Sequence, residues 1–188
     1  MSIYTKTGDD GMTTNILGQR VSKASPEIDA GGCIDELSAF LGFVRAEKTV
    51  EEALIFDIQK TLLTLGGELA KLPKRKNNKA NNATISITPK HVQQLEQEID
   101  RVSAASFSFR GFIIPGDNRV SALLHVARTV CRRAERSLVH WNEIQKCESA
   151  AQNNKETNHF SSNISPIILQ YLNRLSDLLF VLACRAAQ

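Results

Sequence analysis

Apolar and small residues recur along most of this chain at steps of three and four, the spacing that places them on one face of a helix. The first run follows Pro26 and comprises Ala30, Ile34, Leu37, Leu41 and Val44. A second lies near residues 51–72, with Leu54, Ile58, Leu62, Leu65 and Leu69. A third follows Pro89, with Val92, Leu95, Ile99 and Val102. A fourth lies near residues 118–145, with Val120, Leu124, Ala127, Cys131, Ala134, Leu138 and Trp141. The last follows Pro166, with Ile168, Leu172, Leu175, Leu179 and Leu182. Three of these runs open on Ser25-Pro26, Thr88-Pro89 and Ser165-Pro166. A hydroxyl before a first-turn proline is a helix start, since the hydroxyl can cap a free N–H and proline loses no intrahelical bond there. Five amphipathic helices with little strand signal predict an all-α, five-helix up-and-down bundle in a single domain over 1–188.

The remainder is connection. Residues 1–24 form a leader. Residues 73–83 are basic and Asn-rich and read as a solvated loop. Residues 146–164 are polar and read as a mobile loop. Residues 103–117 carry Phe107, Phe109, Phe112, Ile113 and Ile114, and a linker that apolar is expected to dock against the bundle.

Composition narrows the function classes. With 42% hydrophobic and 23% charged residues the chain has the makeup of a globular protein, and 6% aromatics leaves the packing to aliphatic side chains. A formal net charge of +3 is too small to argue for nucleic acid. No run approaches the ~20 apolar residues of a membrane span, and residues 1–6 lack the apolar stretch of a signal peptide. Cys33, Cys131, Cys147 and Cys184 form no CxxC pair and read as reduced thiols of a cytoplasmic protein.

Four segments could carry chemistry. In Thr5-Lys6-Thr7-Gly8-Asp9-Asp10-Gly11-Met12-Thr13-Thr14, two glycines allow successive N–H groups to converge on an anion, with Lys6 adding charge and the threonines donors. The same residues also suit an ordinary turn. On the fourth helix His125, Arg128, Arg132 and Glu135 make a polar stripe, flanked by Arg133 and Arg136. Arg128–Arg132 and Arg132–Arg136 are like charges four apart, each costing roughly 0.2–0.5 kcal/mol on a bare helix. Such a cluster faces either an anion, which the arginine fork grips with two hydrogen bonds, or acids at a subunit contact. Gly31-Gly32 lies inside the first helix, where each glycine costs about 1 kcal/mol relative to alanine, so close approach of a helix or ligand is expected. Gly66-Gly67 reads the same way. Asp35 follows beside the apolar stripe and calls for a cation, with Arg128 a candidate. Finally, Asn173 lies off the last helix's stripe and could read a base edge or sit on a surface.

Together these pieces resemble the PduO-type ATP:cob(I)alamin adenosyltransferases. The resemblance rests on YTKTGDDG at 4–11, RVSK at 20–23, IDEL at 34–37, FIIPG at 112–116, LHVARTVCRRAER at 124–136 and YLNRLSDLLFVLA at 171–183, in that order. It implies transfer of the adenosyl group of ATP to reduced cobalamin by a homotrimer with sites at subunit interfaces. It implies that Thr5, Lys6, Thr7, Gly8 and Thr13 hold the phosphates with Lys23, and that Arg132, Arg133, Glu135 and Arg136 hold ATP from the neighbouring subunit. Asn173 would lie near the nucleoside. Asp35 and Arg128 would pair across an interface by the corrin ring, and Phe112 would press on its lower face. Mg²⁺ would accompany ATP, and a flavin reductase and a mutase are candidate clients. A homologue that only binds or carries ATP or adenosylcobalamin is the alternative. The chain departs from the family pattern at Asp117 and Asn118, which follow Pro115-Gly116, and an added carboxylate there bears on corrinoid affinity.

Overall fold

The computed structural model describes residues 3–49, 51–71, 86–104, 113–152 and 164–188, the side chains of 149–152 excepted. Among these the five expected helices are present: α1 (Pro26–Ala46), α2 (Glu52–Leu69), α3 (Pro89–Ala104), α4 (Arg119–Gln152) and α5 (Pro166–Ala186). The apolar stripes become the core. Leu37, Leu41, Leu62, Leu65, Leu138 and Leu175 are all essentially inaccessible to water. On α2 the fully buried position in the first turn is Ile55, while Leu54 is only partly covered.

α5 is the central helix. Ile168, Tyr171, Leu172, Leu175, Leu178 and Leu179 are each at most 2% exposed. A helix apolar on nearly every side is stable only when surrounded, and α5 packs against both α3 and α4. Contrary to the expectation that no run approaches a membrane span, α5 is the one described helix long and apolar enough to cross a bilayer, but 61% of that window is buried inside the bundle. α4 packs on α5 and α1, and α1 also packs on α2. Bonds from Asn118 to Ala186, Cys131 to Leu172 and Ile164 to Asn142 make α4 and α5 antiparallel neighbours.

Four expectations are corrected. The serine hydroxyls do not cap: neither Ser25 nor Ser165 makes a side-chain cap bond. Instead the Ser25 carbonyl accepts from the N–H groups of Ile28 and Asp29, and proline supplies the first-turn geometry. α4 continues to Gln152, through residues expected to begin a loop. No Gly or Pro interrupts 142–152, and Glu, Gln, Lys and Ala are good helix formers. Ile114, expected to dock, is 88% exposed; Phe107, Phe109 and Phe112 lie outside the described residues, as do 73–83. At Gly31, Gly32, Gly66 and Gly67 an added Cβ would meet nothing within 4 Å, so among the described residues no helix crosses closely there and only the ligand alternative stands. Three of these glycines instead line a mainly apolar cavity of about 250 Å³ with Ile16, Leu69 and Trp141.

The leader contains a small hairpin that the periodicity does not reveal. β1 (Met12–Thr14) pairs antiparallel with β2 (Arg20–Ser22) in the register Met12↔Ser22, Thr13↔Val21, Thr14↔Arg20. Asn15 organises the turn, its Oδ1 accepting from the N–H groups of Leu17 and Gln19. Gly18 at φ 77° supplies the left-handed step.

One ion-pair hub ties three helices. Glu51 accepts from Arg101 at 2.9 Å and from Arg185. Burial raises the Glu51 pKa, but the bonds from Arg185 and Arg101 outweigh it and hold the carboxyl below the ordinary glutamate value. A depressed folded pKa adds stability above the unfolded pKa and loses it as pH falls through the folded one. Thermal unfolding from about pH 6 to pH 3 should therefore show a steeper acid limb in the wild type than in Glu51→Gln. At neutral pH the variant should be the less stable of the two.

Candidate functional site

The leader folds back on itself around Gly8. The hairpin brings Lys23 next to the loop, and Lys23 Nζ donates to the Gly8 carbonyl at 2.7 Å. A Cβ at Gly8 would stand 3.1 Å from that Nζ and 3.2 Å from the Met12 carbonyl, so glycine is what allows the approach. Asp10 receives both oxygens' worth of bonds from Arg20, at 3.0 and 2.9 Å, and also accepts from the Met12 N–H. The Met12 bond and the Arg20 bonds hold the Asp10 pKa below its ordinary value against the small cost of burial. The loop presents Thr5, Lys6 and Thr7, all exposed as Asp9 is, and the hydroxyls of Thr5 and Thr7 lie 2.8 Å apart. Lys6 sits at φ 59°, a backbone region that side-chain-bearing residues seldom occupy. Thr13 lies in β1, half-buried, paired with Val21.

The polar stripe of α4 is graded. At its start His125 is 4% exposed, next to the fully buried Ser121. Arg128 is half-buried, and Arg132 and Arg136 are exposed. The arginines are not equivalent. Arg133 is bonded to Glu36 of α1, which raises its own pKa. Among the described residues Arg132 and Arg136 have no acid or other bonded partner within the chain. Glu135 accepts from Asn173 Nδ2 at 3.4 Å, while Asn173 Oδ1 accepts from Arg174 at 2.8 Å. Both ends of the Asn173 amide are therefore engaged, the nitrogen across to α4 and the oxygen within α5.

Asp35 and Arg128 do not pair within the chain. Asp35 is exposed, and Arg128 keeps a buried Nε without a partner. The reason is helical phase: α1 turns Glu36, not Asp35, towards α4, where it meets Arg133. Phe112 lies outside the described residues. Residues to which sequence reasoning gave no role are Asp10 and Arg20, whose ion pair ties the loop to β2. Their opposite charges either side of a Gly–Asn–Gly turn region were the available signal.

Neither a nucleophile nor a resident metal is evident among the described residues. Cys33, Cys131 and Cys184 are buried free thiols. Burial pushes the thiols of Cys131 and Cys184 up, so at neutral pH they are protonated and weakly nucleophilic. No group of three or more His, Cys, Asp or Glu there could hold a metal ion. Among the described residues the site offers two arginines bonded to no acid, exposed threonine hydroxyls and a glycine loop.

Fold and site thus define an all-α bundle with a cationic ridge on one helix and a glycine–threonine leader. The family model for cobalamin adenosyltransferase matches residues 3–186. A corrinoid adenosyltransferase of Bacillus subtilis is 36% identical over 97% of this chain and 85% of its own length. The corrinoid adenosyltransferase PduO of Salmonella typhimurium is also 36% identical over 97% of this chain, which spans 49% of that longer protein. Among solved structures, a variant PduO-type ATP:corrinoid adenosyltransferase of Lactobacillus reuteri, complexed with cobalamin and ATP, superposes with a TM-score of 0.76 at 30% identity, covering 99% of this chain and 93% of the other. The chain belongs to the cobalamin adenosyltransferase family.

Proposed function

We propose that this chain moves the 5′-deoxyadenosyl group of ATP onto the cobalt of a reduced corrinoid, releasing triphosphate. Cobalt(I) supplies the electron pair that forms the Co–C5′ bond, and the C5′–O bond breaks with its electrons leaving on triphosphate. The corrinoid brings the nucleophile, so the protein's task is orientation and charge stabilisation. The observation that carries this reading is the pair Arg132 and Arg136, one turn apart on α4 and, among the described residues, bonded to no acid. Such groups stabilise a leaving polyanion most where charge builds up.

In the arrangement we infer, three copies assemble so that the ridge of one meets the leader of the next. Thr5, Lys6, Thr7, Gly8, Thr13 and Lys23 receive the phosphates from one side, and Arg132, Arg133 and Arg136 from the other. Glu135 and Asn173 lie by the nucleoside. Arg128 and the exposed Asp35 of a neighbouring copy form the cross-subunit pair beside the corrinoid, which also accounts for Asp35 lacking an acceptor role within its own chain. Phe112 contacts the corrin face. The donor set does not suit a protein-held Mg²⁺ among the described residues, so the ion belongs with the nucleotide, held by phosphate and water. A cytoplasmic enzyme served by a flavin reductase and supplying a mutase fits this chemistry.

The test is to mix the protein with Mg-ATP and chemically reduced cobalamin. Adenosylcobalamin and tripolyphosphate should appear in equal amounts; release of ADP, or tight binding with no adenosylcobalamin, would sink the proposal. Within the leader, Lys23→Ala should raise the KM for ATP about tenfold, the scale of one charge-assisted contact, with kcat less affected. Steady-state kinetics over ATP concentration would check this, with circular dichroism confirming an intact bundle.

A further inference from the structure

The buried end of the α4 stripe is not explained by the fold. Ser121 is 0% exposed and His125 4%, yet among the described residues the Ser121 Oγ and both ring nitrogens of His125 have no hydrogen-bond partner. Arg128 Nε, one turn further on, is likewise buried and unpartnered. Residues 121, 125 and 128 are spaced by four and three, so they lie on one face of α4. Buried polar atoms in folded chains almost always find a partner, and three neighbours failing together on one stripe mark a place where something else binds.

We propose that Ser121 and His125 form a receptor for a carboxamide on the periphery of the corrinoid. This rests on the adenosyltransferase reading above and adds specificity residues to it. The chemistry of the pair selects a neutral ligand group with both a donor and an acceptor. Desolvation first, then the Arg128 charge, lowers the pKa of His125, with Asp117 opposing them. A neutral imidazole offers one N–H and one lone pair, and the serine hydroxyl both. A primary amide answers with a carbonyl and an NH₂. The cobalamin corrin is edged with such amides, whereas the triphosphate has only acceptors.

Position agrees with chemistry. His125 lies seven residues before Arg132 on the same helix, or about 10 Å along the axis at 1.5 Å per residue. Nucleotide and corrinoid then occupy successive stations on one stripe, the charged station for phosphates and the neutral one for the corrin edge. The neutral station is also at the end of α4 that Asp117 and Asn118 join to the FIIPG segment. Phe180 of α5 stands edge-on to His125, ring centroids 6.1 Å apart, and is itself only partly buried.

Equilibrium titration with cob(II)alamin, and separately with ATP, tests this on the whole protein. His125→Phe keeps an aromatic ring against Phe180 and removes the hydrogen bonds. Its cobalamin Kd should rise about tenfold or more, the effect of leaving a polar partner unmatched, while the ATP Kd stays within about twofold. His125→Gln, which restores a donor and an acceptor, should recover most of the affinity. Ser121→Ala removes only an unbonded hydroxyl, so it should fold normally and still weaken cobalamin binding. Unchanged cobalamin affinity in His125→Phe and Ser121→Ala, a rise in the ATP Kd instead, or loss of assembly without a change in intrinsic cobalamin affinity would each overturn the proposal. Absence of adenosylcobalamin formation by the wild type would instead strike the enzyme reading and is measured independently.

Discussion

Arg132→Ala is expected to lower the rate of adenosylcobalamin formation by about two to three orders of magnitude, the loss typical of removing one preorganised group at a site of developing charge. The fold should not change. Arg132 is exposed and, among the described residues, bonded to nothing, and substitutions of that kind usually alter stability by within about 0.5 kcal/mol. On bare helix grounds the change even relieves repulsion from Arg128 and Arg136, each pair costing roughly 0.2–0.5 kcal/mol. A cationic group that costs the free protein energy and returns none to its fold is explained by what it binds. Arg133→Ala is the instructive contrast. Arg133 is tied to Glu36, so its removal strands a carboxylate on α1 and mixes stability with activity. Parallel measurement of turnover and melting temperature separates the two variants. Turnover near the wild-type rate in Arg132→Ala would reject the phosphate role.

That contrast also shows what the sequence could and could not disclose. The helices were legible because burial demands apolar residues every three or four positions, and nothing about the partner needs to be known to see it. The arginine cluster was legible for the same local reason, since like charges four apart announce themselves. Which arginine is free was not legible. It depends on α1 presenting Glu36 rather than Asp35 to α4, a matter of the phase between two helices far apart in sequence. The burial of His125 was hidden likewise, because a polar residue on a mixed stripe gives no sign of the neighbour that will cover it. The hairpin escaped because three-residue strands carry too few alternations to register, and only the Asn15–Gly18 turn chemistry hinted at it. The extension of α4 to Gln152 escaped because polarity was taken for disorder where helix-forming side chains run without a breaker.

The seam between α4 and α5 should be the most sensitive point of the fold, and Leu172→Ala should lower stability by about 2–5 kcal/mol, the range for emptying a fully buried leucine site. Leu172 is 0% exposed, and its carbonyl accepts from the Cys131 thiol at 3.3 Å, so it sits where the central helix grips the arginine-bearing one. At roughly 2–4 °C per kcal/mol for a chain of this size, the melting temperature should fall by about 5–15 °C. Leu172→Met, which conserves volume, should cost under about 1.5 kcal/mol. The functional consequence is specific. Asn173 follows directly, and its 3.4 Å contact to Glu135 crosses the same seam. On the proposed placing of Glu135 and Asn173 by the nucleoside, loosening the seam should raise the KM for ATP in Leu172→Ala even well below its melting temperature. A variant that melts within about 2 °C of the wild type would show that the α4–α5 contact is not what fixes the stripe in place.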